Sequence, residues 1–108
     1  MSTMISEIAV AQVGDVCTGQ RKLIFVKGRS LLLFNVEGRL HAIDNSCPHN
    51  GASLATGRLD GTVLQCPAHG LRFDLATGCM PGTSGLCLKT YAIQEADGHV
   101  VIRMPDDA

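Results

Sequence analysis

Apolar positions along the chain fall into short strand-like segments separated by turn dipeptides, with no helical period of useful length and no repeat of whole strands. Ile5, Ile8, Val10, Val13 and Val16 stand among small and acidic residues, which predicts an edge strand running into a loop at Gly14-Asp15. Lys22 to Lys27 holds the strand formers Ile24, Phe25 and Val26. A turn at Gly28-Arg29 then sends the chain back along Ser30 to Val36. Within that segment Leu31 to Phe34 is apolar without interruption, which predicts a strand buried on both faces. After a hairpin turn at Glu37-Gly38, Arg39 to Asp44 puts Leu40 and Ala42 on one face and His41 and Ile43 on the other. These three segments form a meander.

The second half is more broken. Asp60-Gly61 reads as a tight turn, Thr62 to Gln65 and Leu71 to Leu75 as short strands, and Thr77-Gly78 as another turn. Beyond a loop at residues 81–85, Leu88 to Glu95 reads as one strand. Asp97-Gly98 is a strong hairpin signal, and His99 to Met104 returns with Val100, Ile102 and Met104 on one face. The polar tail from Pro105 to Ala108 is expected to fray. The pattern predicts an all-β, antiparallel β-sandwich in a single domain. Its base is residues 1–44 and 82–108, and a smaller unit is inserted at 45–81.

That insertion carries the chemistry. Cys47-Pro48-His49 and Cys66-Pro67-Ala68-His69 each offer one thiolate and one imidazole on a short loop. Together they supply enough soft and borderline ligands for one metal site. One zinc could take Cys47, His49, Cys66 and His69 as a tetrahedron. A [2Fe–2S] cluster could take the two cysteines on one iron and the two histidines on the other. A zinc finger usually presents its cysteine pair on one hairpin and its histidine pair one helical turn apart. Here each half is mixed, which suits a cluster with two inequivalent irons, because each loop must reach both.

The residues around these ligands resemble a family. Residues 47–57, Cys-Pro-His-Asn-Gly-Ala-Ser-Leu-Ala-Thr-Gly, are similar to the first box of the Rieske proteins. Residues 66–78, with their Phe-Asp and Thr-Gly end, are similar to the second. The resemblance covers nearly the whole chain, and its specificity lies in 47–78. It implies a Rieske [2Fe–2S] cluster with Cys47 and Cys66 on the inner iron and His49 and His69 on the outer. Two ferric ions, two sulfides and two thiolates sum to zero charge, whereas a four-cysteine cluster starts at minus two. Adding an electron therefore costs less, and the potential is higher. The resemblance also assigns neighbours. Gly51, Gly57, Gly70 and Gly78 would allow turns or close backbone approach. Pro48 and Pro67 would stiffen the loops, and Leu54, Leu71 and Phe73 would form a dry wall. His41 and His99 stand at no ligand position.

Composition narrows the setting. The chain has 108 residues, 45% of them hydrophobic, with a net charge of -1. A chain of this size can bury roughly two-thirds of its unfolded surface. Its charge suggests neither nucleic acid nor an anionic membrane as partner. Arg21-Lys22, the densest basic pair, reads as a solvated strand edge. No signal peptide and no membrane-spanning run is visible, so a soluble, cytoplasmic protein is expected. Cys17, Cys79 and Cys87 are then expected as small buried hydrophobes in a reducing compartment; a Cys79–Cys87 disulfide is compatible with their separation but is the lesser reading.

A fully protein-ligated cluster leaves no open position for substrate, and no second metal set is visible. The resemblance thus implies an electron-transfer component rather than an enzyme. It would be a one-electron carrier, similar to the Rieske ferredoxins that link a flavin-containing NAD(P)H reductase to a terminal oxygenase. The small Rieske-like subunit of assimilatory nitrite reductases and a non-redox zinc-binding interaction module are the alternatives. The chain departs from the high-potential respiratory branch of the family. Ala52 and Ala68 stand where that branch has a disulfide pair. Leu71 and Phe73 stand where it has a Ser and a Tyr whose hydroxyls donate to cluster sulfur.

Overall fold

The computed structural model describes residues 5–47, 53–68, 70–81 and 87–105. All its regular elements are strands: β1 (Ile5–Gln12), β2 (Arg21–Val26), β3 (Arg29–Val36), β4 (Arg39–Asp44), β5 (Arg58–Asp60), β6 (Val63–Gln65), β7 (Arg72–Asp74), β8 (Thr90–Tyr91), β9 (Ile93–Ala96) and β10 (His99–Pro105). They pair antiparallel in three sheets, ordered β1-β10-β9, β2-β3-β4-β8 and β5-β6-β7. The all-β expectation holds. The expected tail lies outside the described residues from Asp106 onward.

Three hairpins share one device. Lys27-Gly28, Glu37-Gly38 and Asp97-Gly98 are two-residue turns in which both residues take positive φ (52° and 76°, 54° and 85°, 52° and 79°). That is the type I′ geometry, whose twist matches that of the flanking strands. The first turn therefore sits one residue earlier than the expected Gly28-Arg29, and Arg29 pairs with Val26 inside the ladder.

The β2-β3-β4-β8 sheet is the middle layer. Leu31, Leu32, Leu33 and Phe34 are each at most 1% exposed, as their uninterrupted run predicts. Leu31 and Leu33 point into one core with Ile24, Ala42, Tyr91, Val100, Ile102 and Met104. Leu32 and Phe34 point into the other, with Ile43, Leu54, Leu64 and Phe73. Burial of each such side chain contributes about 1.5–3 kcal/mol.

Two elements differ from expectation. Leu88 to Glu95 is not one strand: Tyr91 pairs with Ala42 in the middle sheet, and Ile93 pairs with Ile102 in the outer one. The chain changes sheets at Ala92, whose carbonyl accepts from the Arg103 N–H (3.0 Å). Each sheet gains an edge strand by this crossing, which alternation alone does not reveal. β5 was not expected, because three residues carry no readable period; it exists through its pairing with β6.

The cysteine expectation is corrected as well. Cys79 and Cys87 face one another in an isolated antiparallel bridge, with Cα atoms 4.0 Å apart, and form a disulfide. The bridge presents the two side chains to each other, so they pair instead of packing separately. The Leu88 N–H donates to the Gly78 carbonyl beside it (2.6 Å). A Cβ on Gly78 would lie 2.8 Å from the Leu88 oxygen, so this close approach requires glycine. Cys17 is exposed rather than buried.

Arg21 is likewise not a solvated edge. Lys22 is: its Nζ lies 3.8 Å from the Asp15 carboxylate, and both groups are well exposed. Arg21 instead lies on the Phe34 face, its guanidinium 4.9 Å from the ring centroid. Its Nη1 donates to the carbonyls of Ala55 (3.1 Å) and Gly57 (2.6 Å). One side chain thus ties the middle sheet to the segment that returns from the first ligand loop. Arg21→Met keeps the apolar stem and removes the donors and the cation. It should lower the unfolding free energy by about 1–3 kcal/mol. Denaturant titration checks this, and an unchanged midpoint would mean that water serves both carbonyls equally well.

Candidate metal centre

The first ligand segment leaves β4 at Asn45, which staples its exit to its return. The Asn45 N–H donates to the Ser30 carbonyl (2.8 Å), and Nδ2 donates to Ser30 Oγ (3.1 Å). Its Oδ1 accepts from the Leu54 N–H (2.8 Å) and from Ser53 Oγ (3.0 Å). Cys47 follows and is 1% exposed. Sequence reasoning did not single out Asn45. Its one signal is a turn-forming residue placed between a strand and a Cys-Pro-His run.

The second segment is the tip of the β6–β7 hairpin. The Cys66 N–H donates to the Leu71 carbonyl (2.7 Å), and the Gly70 N–H donates to the Cys66 carbonyl (2.9 Å). Gly70 takes a φ of 74°, and Gln65 Nε2 donates to its carbonyl (3.3 Å). This closes the loop on Cys66, which is 1% exposed, while Pro67, Ala68 and Gly70 are exposed at the tip. His49 and His69 lie outside the described residues, as do Pro48, Asn50, Gly51 and Ala52.

Cys47 and Cys66 come from different loops, yet they pack in one apolar cluster with Leu54, Leu64, Phe73, Leu75 and Leu88. Leu71 packs against it, half-buried. No charged side chain is buried among the described residues. An isolated thiolate in such a place is costly. A thiolate bound to iron is not an isolated charge, so the donor set fits a thiolate-ligated metal group with its cysteine side kept dry. Gly57 is explained by protein packing: its Cβ would lie 2.6 Å from the Gln65 carbonyl oxygen.

His41 stands opposite Phe34 in the β3–β4 ladder. His41 is half-buried on β4. Its burial lowers its pKa, the nearby Arg39 charge adds to that, and Asp74 opposes it. His99 is exposed at the start of β10.

Comparison with known proteins gives one answer. The family model for the Rieske [2Fe-2S] domain matches residues 6–92. The ferredoxin component of the naphthalene 1,2-dioxygenase system of Pseudomonas putida is 36% identical over 98 residues, covering 88% of this chain and 92% of that one. Among solved structures, the ferredoxin of Sphingomonas yanoikuyae B1 superposes with a TM-score of 0.81 at 34% identity, over 93% of this chain and all of that one. A complex of reduced oxygenase and oxidized ferredoxin in carbazole 1,9a-dioxygenase contains a chain that superposes at 0.80 with 28% identity, over 89% of this chain and 91% of that one. The buried cysteine pair, the closed hairpin tip and these likenesses agree, and the chain belongs to the Rieske [2Fe–2S] family.

Proposed function

We propose that Cys47 and Cys66 hold one iron of the cluster as thiolates and that His49 and His69 hold the other as neutral imidazoles. The chain is then a one-electron carrier that takes electrons from an NAD(P)H-dependent flavin reductase and delivers them to a terminal oxygenase. The observation that carries this reading is the pairing of two buried cysteines, from separate loops, behind an exposed loop tip. The bound cluster supplies one-electron chemistry. The protein keeps the thiolate side dry, fixes the two loops through Asn45, Arg21 and the Cys66–Leu71 pair, and leaves the second tip at the surface.

The relatives are ferredoxin components of oxygenase systems, which favours a free-standing carrier over a nitrite reductase subunit. The carbazole system supplies the precedent for a complex between a ferredoxin and an oxygenase. Residues 45–81 serve as the cluster-binding unit on a base of 1–44 and 82–108; the β5-β6-β7 sheet shares no ladder with the other two. No helix among the described residues is long and apolar enough to cross a membrane.

Ligation is tested by substitution. Cys47→Ser or Cys66→Ser should abolish the visible spectrum and bound iron and sulfide. His49→Cys or His69→Cys adds thiolate charge and should lower the midpoint potential or prevent assembly. A folded, colourless wild type carrying one zinc per chain would end the cluster assignment.

Carrier function is tested with partners. The purified protein should be reduced by a flavin reductase with NAD(P)H and should oxidise no organic substrate by itself. Oxygenation of an aromatic compound by this chain with reductant alone would contradict it.

The potential follows from missing donors. A hydroxyl donating to cluster sulfur stabilises the more negative, reduced form and raises the potential. Leu71 and Phe73 have none. The midpoint should lie below zero in a family range of about −150 to +300 mV. Leu71→Ser should raise it by roughly 20–65 mV, from ~0.5–1.5 kcal/mol for one electron. Potentiometric titration at neutral pH decides, and a wild-type midpoint above about +100 mV would show that these donors do not control this cluster.

A further inference from the structure

The Cys79–Cys87 disulfide stands outside the proposed ligand set, and electron transfer does not call on it. Its two arms are held differently. The Cys79 arm is fixed by its own turn. There the Asp74 N–H donates to the Cys79 carbonyl (2.9 Å), the Gly78 N–H to the Asp74 carbonyl (2.6 Å), and the Cys79 N–H to Thr77 Oγ1 (3.2 Å). The Cys87 arm is tied to that turn by the disulfide and by the Leu88 N–H, which donates to the Gly78 carbonyl. Beyond it, the Lys89 carbonyl accepts from the Asp44 N–H (2.9 Å).

Leu88 connects this bond to the metal centre. It adjoins Cys87 in the chain, is 5% exposed, and packs in the apolar cluster that holds Cys47 and Cys66. It is thus part of the wall that keeps the cysteine side dry, and the chain enters that wall at the disulfide. The two cysteines are 8 positions apart in sequence, so the bond closes a loop. Without that closure the Cys87 arm samples more conformations.

Two features suit the bond to exchange. Cys87 is exposed and Cys79 is half-buried, so an incoming thiolate reaches one sulfur and the other becomes the leaving group. Cys79 Sγ also lies 3.7 Å from the Thr77 carbonyl oxygen, an acceptor ready for the thiol that reduction creates. The pair is distinct from the bracing disulfide of the respiratory branch, because Ala52 and Ala68 hold those places.

We propose that Cys79–Cys87 is a thiol–disulfide exchange site whose substrate is a low-potential dithiol, and that its redox state controls how firmly the chain retains its cluster. One thiolate of the dithiol attacks Cys87 Sγ, the sulfur–sulfur bond breaks, and Cys79 leaves as a thiolate. The second thiolate then attacks the dithiol's own sulfur in the mixed disulfide and releases Cys87. Each released thiolate takes up a proton that the dithiol gave to water. Two electrons pass to the chain, and the dithiol becomes a disulfide. The disulfide form clamps Leu88 against the thiolate side, and the dithiol form lets that wall open to water. The proposal rests on the cluster reading above.

The test uses the cluster-loaded chain, purified without thiol reagents and then incubated with or without dithiothreitol. Iodoacetamide labelling with peptide mass mapping should find Cys79 and Cys87 blocked before treatment and labelled after it, with exposed Cys17 labelled in both. Hydrogen exchange at the Leu88 amide, and bleaching of the visible spectrum by an iron chelator, should each become about tenfold faster on reduction. The Cys79→Ser/Cys87→Ser double variant should show the faster values from the start and should not respond to dithiothreitol. Cys79 and Cys87 labelled before treatment, or wild-type exchange and bleaching that reduction leaves unchanged, overturn the switch and leave the carrier reading standing. A double variant that dithiothreitol still bleaches faster places the reagent's action on the cluster itself and also overturns the switch. A chain that assembles no iron and sulfide overturns the carrier reading and the control of cluster retention with it, while labelling and Leu88 exchange still decide the exchange site.

Discussion

The structure depends on the burial of both faces of β3. Four consecutive side chains, Leu31 to Phe34, each at most 1% exposed, close two cores at once. Leu31 and Leu33 seal the sandwich with β10, while Leu32 and Phe34 form the floor on which Leu54, Leu64 and Phe73 sit. The ligand loops are therefore carried on a wall already fixed by the sandwich. A three-stranded sheet of three-residue strands has little stability alone. Here it is held by that apolar floor and by the Arg21 and Asn45 hydrogen bonds.

The same wall sets the polarity of the site. The cysteine side faces Leu54, Leu64, Phe73, Leu75 and Leu88, whereas Pro67, Ala68 and Gly70 face solvent. A redox centre that works between proteins needs this asymmetry. A dry side protects bound thiolate and iron, and an exposed side brings the centre within reach of a partner. Carriers rely on small, transient interfaces.

Much of this was legible in the sequence because the physics was local. Uninterrupted apolar residues announced the doubly buried strand, Asp97-Gly98 and Glu37-Gly38 announced hairpins, and the mixed Cys/His boxes announced a cluster that the family likeness supports. Where local physics was degenerate, the reading slipped. Lys27 takes positive φ because the strand twist favours a two-residue turn, which its side chain does not advertise.

What only the tertiary structure decided was which distant groups meet. Leu88 to Glu95 splits between two sheets because each has an open edge near Ala92, and no periodicity encodes that crossing. Cys79 and Cys87 pair because a bridge sets them face to face. Arg21 looks like any surface cation until Phe34 and the carbonyls of Ala55 and Gly57 surround it. Arg58, Gln65 and Arg72 become one row only when β5, β6 and β7 align in register. The sequence by itself determined the candidate ligand types and the strand-forming segments, since these follow from side-chain chemistry and near-neighbour sterics. Long-range pairing determined the clamps, since these depend on which backbone hydrogen bonds close between segments far apart in the chain.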